Sequence, residues 1–263
     1  MLNQKYLGKY DFLLITLDSL CYSTTEKANL PNIEKYDKFR KVYSNATFTL
    51  PSHISMFHGV FPDNRESNEP YYNRKLFRIF APGFNTIRSC GITFTGAVNV
   101  VRGFENNNYR TIGIGGVGWF DNRRPTTKIW KTEFFNEFYF QPSFHEVSNN
   151  SIETQTKFLK NKLEGEEKKV FAFINISATH APYQGKNQVF ALEKFDKLFP
   201  DILEIFKERK NPLFIILVSD HGDVLSSNWK KYQQRHAFYL PNEDGLSIME
   251  VPMLVIDLPE GVK

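Results

Sequence analysis

The sequence predicts an α/β protein: a mostly parallel central sheet with helices on both faces, in a single domain over residues 1–263. Three observations carry this. Short apolar runs at 11–17 (DFLLITL), 169–176 (KVFAFINI) and 213–219 (LFIILVS) read as strands buried on both faces. Helix-compatible stretches lie between them, and strands alternating with helices build a parallel sheet covered on both sides. No internal repeat or low-complexity linker marks a boundary, and a chain of 263 residues is served by one core.

The elements follow in order. After the first strand, Ser23, Thr24 and Thr25 before Glu26 form a polar loop with a helix cap, and 31–40 carries helix-compatible residues. Residues 51–60 (PSHISMFHGV) open with proline, which suits a first helical turn. Residues 62–74 are polar with two prolines and read as a surface loop. A helix over 98–107 and a strand over 109–114 (YRTIGI) come next, then a mixed, aromatic-rich stretch at 119–150. Ser151 and Glu153 give a cap-like start to a helix over 151–164, and 187–210 holds one or two helices with apolar stripes. The last strand is 250–258 (EVPMLVIDL), where Pro252 points to a sheet edge.

Composition narrows the function classes. A net charge of +4 is mild and the basic residues form no long block, which argues against nucleic acid and fits a small anionic substrate. The 25 Phe and 12 Tyr are spread along the chain, as a large core requires. Cys21 and Cys90 make neither a disulfide framework nor a metal spacing. The opening MLNQKYLGKYDF has no apolar signal-peptide region, and no apolar run approaches the ~20 residues of a membrane helix, so a cytoplasmic location is expected. GIGGVG at 113–118 satisfies the dinucleotide pattern G-x-G-x-x-G, but WFDNRRP after it is no helix. Close backbone packing, or a glycine-lined pocket wall, is the better reading.

Four segments carry chemistry. Asp18 follows the first strand, His180 (S-A-T-H-A-P-Y) follows the 169–176 strand, and Asp220 and His221 (S-D-H-G) follow the 213–219 strand. In an open α/β sheet ligands bind beyond the carboxyl ends of the strands, so three strand ends bring two carboxylates and two imidazoles to one rim. Each alone is an ordinary turn or cap residue; convergence makes them a candidate site. Thr49, in N-A-T-F-T-L-P-S-H, lies at a helix entry, where free N–H groups favour an anion. Its hydroxyl is a nucleophile if a cation activates it, whereas in the alternative reading Thr49 or Ser52 caps the helix.

On these segments the chain resembles the alkaline phosphatase/sulfatase superfamily, in its sulfatase-like branch. Asp18 matches the acidic ligand ending the first strand. Thr49 matches the nucleophile of a C/S/T-x-P-S-x segment, and His180 the histidine of H-x-P-Y. Asp220 and His221 match the D-[HN]-G ligands, and V-P-M-L-V the final core strand. The order holds over residues 10–258, and I-G-G-V-G-W-F at 114–120 is similar to a segment of short bacterial sulfatase-like hydrolases. The resemblance implies one divalent cation (Mn, Mg or Zn) held by Asp18, Thr49, Asp220 and His221. It makes Thr49 the catalytic nucleophile and puts His180 on the substrate side; from the residues themselves, His180 and His236 are candidates to stabilise oxygens or protonate a leaving group. Arg235, beside His236 in Y-Q-Q-R-H, either clamps a substrate anion with it or belongs to a surface basic patch. His53, at the position that is arginine in sulfatases, is a candidate at the substrate and alternatively orients Thr49 or caps its helix. His58 and His145 read as structural.

Departures refine the expectation. Threonine cannot be oxidised to formylglycine, so the resemblance points to phosphorus rather than sulfur. Ile176 stands where two-metal members carry Asp, which leaves one metal site. Ser19, Cys21 and Ser23 replace acidic, Arg and Asp residues after the first ligand. The expected activity is metal-dependent hydrolysis of phosphate mono- or diesters. The alternatives are a phosphotransferase of the phosphoglycerol or phosphoethanolamine type, and a degenerate member that binds an anion or a partner without turnover.

Overall fold

The structure is a computed structural model that describes residues 5–59, 98–124, 127–227, 230, 235–236 and 247–263. The strands are β1 (Asp11–Leu17), β2 (Arg40–Tyr43), β3 (Arg110–Ile114), β4 (Glu137–Tyr139), β5 (Val170–Ile176), β6 (Leu213–Val218) and β7 (Glu250–Leu258). Among the described residues they form one sheet in the order β2-β7-β6-β1-β5-β3-β4. The β6-β1-β5-β3-β4 pairings are all parallel, while β7 runs antiparallel to both β6 and β2. The sheet is therefore mostly parallel, as the alternation of apolar runs and helical stretches predicts.

Alternation along the central strands divides the core into two layers. Leu13, Ile15 and Leu17 of β1 pack with Leu192, Phe195 and Phe199 of helix α6 (Gln188–Arg209) and with Ile152 and Leu159 of α5 (Ser151–Leu163). Phe12 and Leu14 face the other way, onto Leu50 and Phe57 of α3 (Thr49–His58) and Phe104 of α4 (Val100–Asn106). Two short helices, α1 (Tyr22–Thr25) and α2 (Pro31–Glu34), follow β1.

Several expectations change. The 31–40 segment holds a single helical turn and ends in strand β2, whose residues RKVY are largely exposed and carry no apolar signal. β4 has three residues, too few for a periodicity. β7 is not an edge strand. Pro252 lies opposite Ser219, just beyond the end of β6, and accepts the Ser219 N–H through its carbonyl. The N–H that proline lacks falls where β6 has already ended, so the ladder loses little. Ser151 is not the cap of α5; Asn150 holds that position without a side-chain bond. Residues 188–209 are one helix with Pro200 inside it. The 62–74 loop and Cys90 lie outside the described residues.

Candidate functional site

β6, β1 and β5 are adjacent and parallel, so their carboxyl ends share one rim. Asp18 follows β1, Asp220 and His221 follow β6, and the 177–180 turn follows β5. One carboxylate oxygen from each aspartate and a ring nitrogen of His221 lie within 4.8 Å of one another, all buried.

Each group is held from behind. Asp18 accepts the Ser19 hydroxyl at 3.1 Å on Oδ1 and the Asn175 amide at 3.0 Å on Oδ2. Ser19 sits at φ 62°, a left-handed conformation that is strained for a residue with a Cβ. Its N–H donates to Asp220 Oδ1 at 3.1 Å. Asp220 Oδ2 is buried with no hydrogen-bond partner. His221 Nδ1 lies 2.8 Å from the Gly222 carbonyl, which can only accept, so Nδ1 carries the proton. Nε2 then offers a lone pair 3.5 Å from Asp220 Oδ2 and 4.0 Å from Asp18 Oδ1.

The electrostatics fit a cation. Burial, then the charge of Asp220, raises the pKa of Asp18; burial raises that of Asp220 against the pull of His53. Burial, then neighbouring His236, pushes His221 down to about 3, which keeps its imidazole neutral and able to ligate. Two buried carboxylates, one with an oxygen that has no hydrogen-bond partner, and a neutral imidazole are donors that could hold a divalent metal.

Thr49 is the first residue of α3, and the N-cap position belongs to Phe48, which makes no side-chain cap. Neither reading of a capping hydroxyl holds. Ser52 Oγ donates to the Asp220 carbonyl at 2.5 Å, and Thr49 Oγ1 lies 3.3 Å from His221 Nε2. His53 is fully buried behind Thr49. Its Nδ1 donates to the Thr49 carbonyl at 2.8 Å, and its Nε2 pairs with the Thr16 hydroxyl at 2.9 Å. Rings of Phe57, Phe120, Trp130 and Phe173 surround it.

On the outer side, the ring of His236 lies 4.6 Å from that of His221 and 5.2 Å from that of His180. His180 Nδ1 donates to the Ala181 carbonyl at 2.7 Å. Burial opposes its protonation, but Asp18, Glu146, the Ala181 carbonyl and Asp223 outweigh that and raise its pKa. Arg235 packs on Tyr183. Its guanidinium lies 5.4 Å over the Tyr183 ring, and Nη1 reaches the Val224 carbonyl at 3.2 Å. It lines a groove with Lys27 and Lys186. Thus Asp18, Thr49, Asp220, His221, His180 and His236 come together, while His53 lies beneath them and Arg235 beside them.

Sequence reasoning missed the supporting layer. Asn175 is the amide in the otherwise apolar KVFAFINI run, and it bridges Asp18 and Thr16. Asp223 completes S-D-H-G-D and faces His236 and Tyr183. The glycines of 113–118 serve close packing: a Cβ on Gly116 would stand 2.3 Å from the Asn175 carbonyl, and one on Gly115 2.1 Å from Phe120.

No protein-family model and no curated sequence matches this chain. Solved structures do. One is described as a protein in the alkaline phosphatase superfamily from Vibrio parahaemolyticus: TM-score 0.63, 14% identity, over 98% of this chain and 62% of that one. The C-terminal periplasmic domain of phosphoethanolamine transferase EptC from Campylobacter jejuni gives 0.60 and 14%, over 96% and 80% of the two chains. PsFucS1 sulfatase from Pseudoalteromonas sp. gives 0.60 and 14%, over 94% and 62%. The chain thus spans about 62% of the length of two of them.

Proposed function

We propose that this chain, which has the fold of the alkaline phosphatase superfamily, is a divalent-cation-dependent phosphoric ester hydrolase with Thr49 as nucleophile. The observation that carries the reading is Thr49 Oγ1 facing His221 Nε2 at 3.3 Å, at the edge of the buried Asp18–Asp220–His221 cluster. Asp18, Asp220, His221 and Thr49 would hold one ion. A bound divalent cation there, Mn, Mg or Zn, lowers the pKa of a hydroxyl and offsets the charge of a phosphoryl group.

The chain's own residues supply the rest. Thr49 Oγ forms a bond to phosphorus as the bond to the leaving oxygen breaks, and the leaving oxygen takes up one proton. Water then attacks the phosphothreonine, which releases phosphate and restores the Thr49 hydroxyl. His53 positions the nucleophile: its Nδ1 fixes the Thr49 carbonyl at the start of α3, and its burial removes it from contact with substrate. His180 and His236 are the imidazoles open to the phosphoryl oxygens and the leaving group. Arg235, in the cationic groove beside them, suits a more distant anionic part of a small ester.

A phosphotransferase differs only in the acceptor, a hydroxyl in place of water. The similarity to a phosphoethanolamine transferase domain over 80% of its length supports that second reading. The sulfatase fold neighbour does not extend to chemistry, because threonine cannot form the aldehyde that sulfatases use. No described helix is long and apolar enough to cross a membrane. A cytoplasmic location belongs to the same proposal, and cell fractionation tests it. For the chemistry, the protein is quenched during turnover of para-nitrophenyl phosphate and digested. A phosphoryl adduct on the Thr49 peptide supports the reading; an adduct elsewhere, or turnover with none, counts against it.

A further inference from the structure

We propose that Asp223 is a positioning residue that fixes the ring of His236 as the acid for the leaving group. The proposal rests on the hydrolase reading above. Asp223 is fully buried, although an aspartate in the interior is unfavourable unless its oxygens are bonded. Its Oδ1 accepts the Val224 N–H at 3.0 Å and faces His236 Nδ1 at 3.4 Å. The Tyr183 hydroxyl donates to its other oxygen. The backbone is clamped as well. The Cys21 thiol donates to the Asp223 carbonyl at 3.1 Å and accepts the Asp223 N–H at 3.1 Å, and the Ser247 hydroxyl adds a third contact at 3.1 Å. This gives a role to Cys21, which stands where the resembled family has arginine.

The consequence is geometric. A carboxylate only accepts, so Nδ1 of His236 carries the proton that points at Asp223. Nε2 is left free of Asp223, on a ring whose centre lies 4.6 Å from that of His221 and 5.2 Å from that of His180. As the bond from Thr49 Oγ to phosphorus forms, the bond to the leaving oxygen breaks and its electron pair stays on that oxygen. The protonated Nε2 of His236 gives it a proton. The proton lost from Thr49 passes to solvent. In the second half neutral His236 takes one from the attacking water as the bond from phosphorus to Thr49 Oγ breaks, and solvent returns a proton to that oxygen. Tyr183 acts through Asp223, and its own ring is held under Arg235.

The test uses the full chain, loaded with metal, and two esters that differ only in leaving group. Phenyl phosphate needs protonation of its leaving oxygen; para-nitrophenyl phosphate scarcely does. Asp223→Asn is expected to lower kcat on phenyl phosphate by about 10- to 100-fold and on the nitrophenyl ester by no more than about threefold, with KM and metal content unchanged. Tyr183→Phe follows the same pattern more weakly, and in a His236→Gln background Asp223→Asn has no further effect. Nitrogen NMR of the His236 ring is expected to show Nδ1–H in the wild type and its loss in Asp223→Asn. An equal loss on both esters, full additivity with His236→Gln, or a wild-type ring protonated only on Nε2 overturns the proposal. If Asp223→Asn does not fold, the Tyr183→Phe ratio and the wild-type spectrum decide. A wild type inactive on both esters, or an active Thr49→Ala, instead removes the hydrolase reading and this proposal with it.

Discussion

Thr49 and His221 lie 172 residues apart in sequence, yet the Thr49 hydroxyl stands 3.3 Å from the lone-pair nitrogen of His221. The contact joins the first turn of α3 to the loop after β6 and puts a buried hydroxyl against the histidine of the Asp18–Asp220–His221 cluster. Nothing in α3 needs that hydroxyl as a cap.

Thr49→Ala is expected to fold, since it removes a hydroxyl and a methyl from a helix start and leaves the His53 bond to the residue 49 carbonyl. Its kcat is expected to fall by about a thousandfold or more, while Thr49→Ser retains measurable turnover because the attacking oxygen survives. Steady-state kinetics of the three proteins check this.

Asp220→Asn removes the charge whose Oδ2 is buried and unbonded. The metal-free variant is expected to be at least as stable as metal-free wild type, because an uncompensated buried charge is relieved. Adding a divalent cation at 100 times its Kd stabilises the wild type by about 2.7 kcal/mol and the variant by much less. Thermal melts with and without metal read both effects.

Gly116→Ala places a Cβ 2.3 Å from the Asn175 carbonyl and 2.8 Å from its Oδ1. Neither backbone nor the amide that holds Asp18 can yield without moving the other. The substitution is expected to lower stability by about 1–3 kcal/mol and to weaken metal affinity at the same time. Denaturant unfolding and metal titration of one preparation test the link.

How much of this was legible in the sequence follows burial. β1, β5, β6 and β7 are runs of apolar residues because they lie inside the sheet, and that pattern locates them within about one residue. β2 is an exposed edge with the sequence RKVY, indistinguishable from a loop. Asp18, Asp220 and His221 stood out because polar residues ending apolar strands are conspicuous. Asn175 and Asp223 did not, and Ser19 stood out only as a departure from the family pattern, because their roles depend on which strands are neighbours. Asn175 reaches Asp18 only because β5 lies beside β1. Arg235 and His236 adjoin in sequence, yet one reaches Tyr183 and the other Asp223.

A pH prediction comes from the opposite end of the sheet. Arg110 at the start of β3 forms two bonds to Glu137 of β4, at 2.7 Å and 2.9 Å, and a third to Glu166 at 3.0 Å. The Arg110 bond holds the Glu137 carboxyl below its ordinary range, against the opposing effect of burial. A carboxyl whose pKa is depressed on folding stabilises the protein above its unfolded value and loses that contribution as pH falls through the folded value. Glu137→Gln is therefore expected to cost about 1 kcal/mol at neutral pH. The difference from wild type should close as the solution is acidified below the ordinary glutamate range, which denaturant unfolding at several pH values measures.

The most direct test of the central claim is the rate of wild type and Thr49→Ala on para-nitrophenyl phosphate and bis(para-nitrophenyl) phosphate, each protein supplied in turn with Mn, Mg and Zn. The account predicts turnover by the wild type with at least one metal on at least one ester, and a loss of about a thousandfold or more in Thr49→Ala. Equal rates in the two proteins, or no turnover by either with any of the metals, would contradict it.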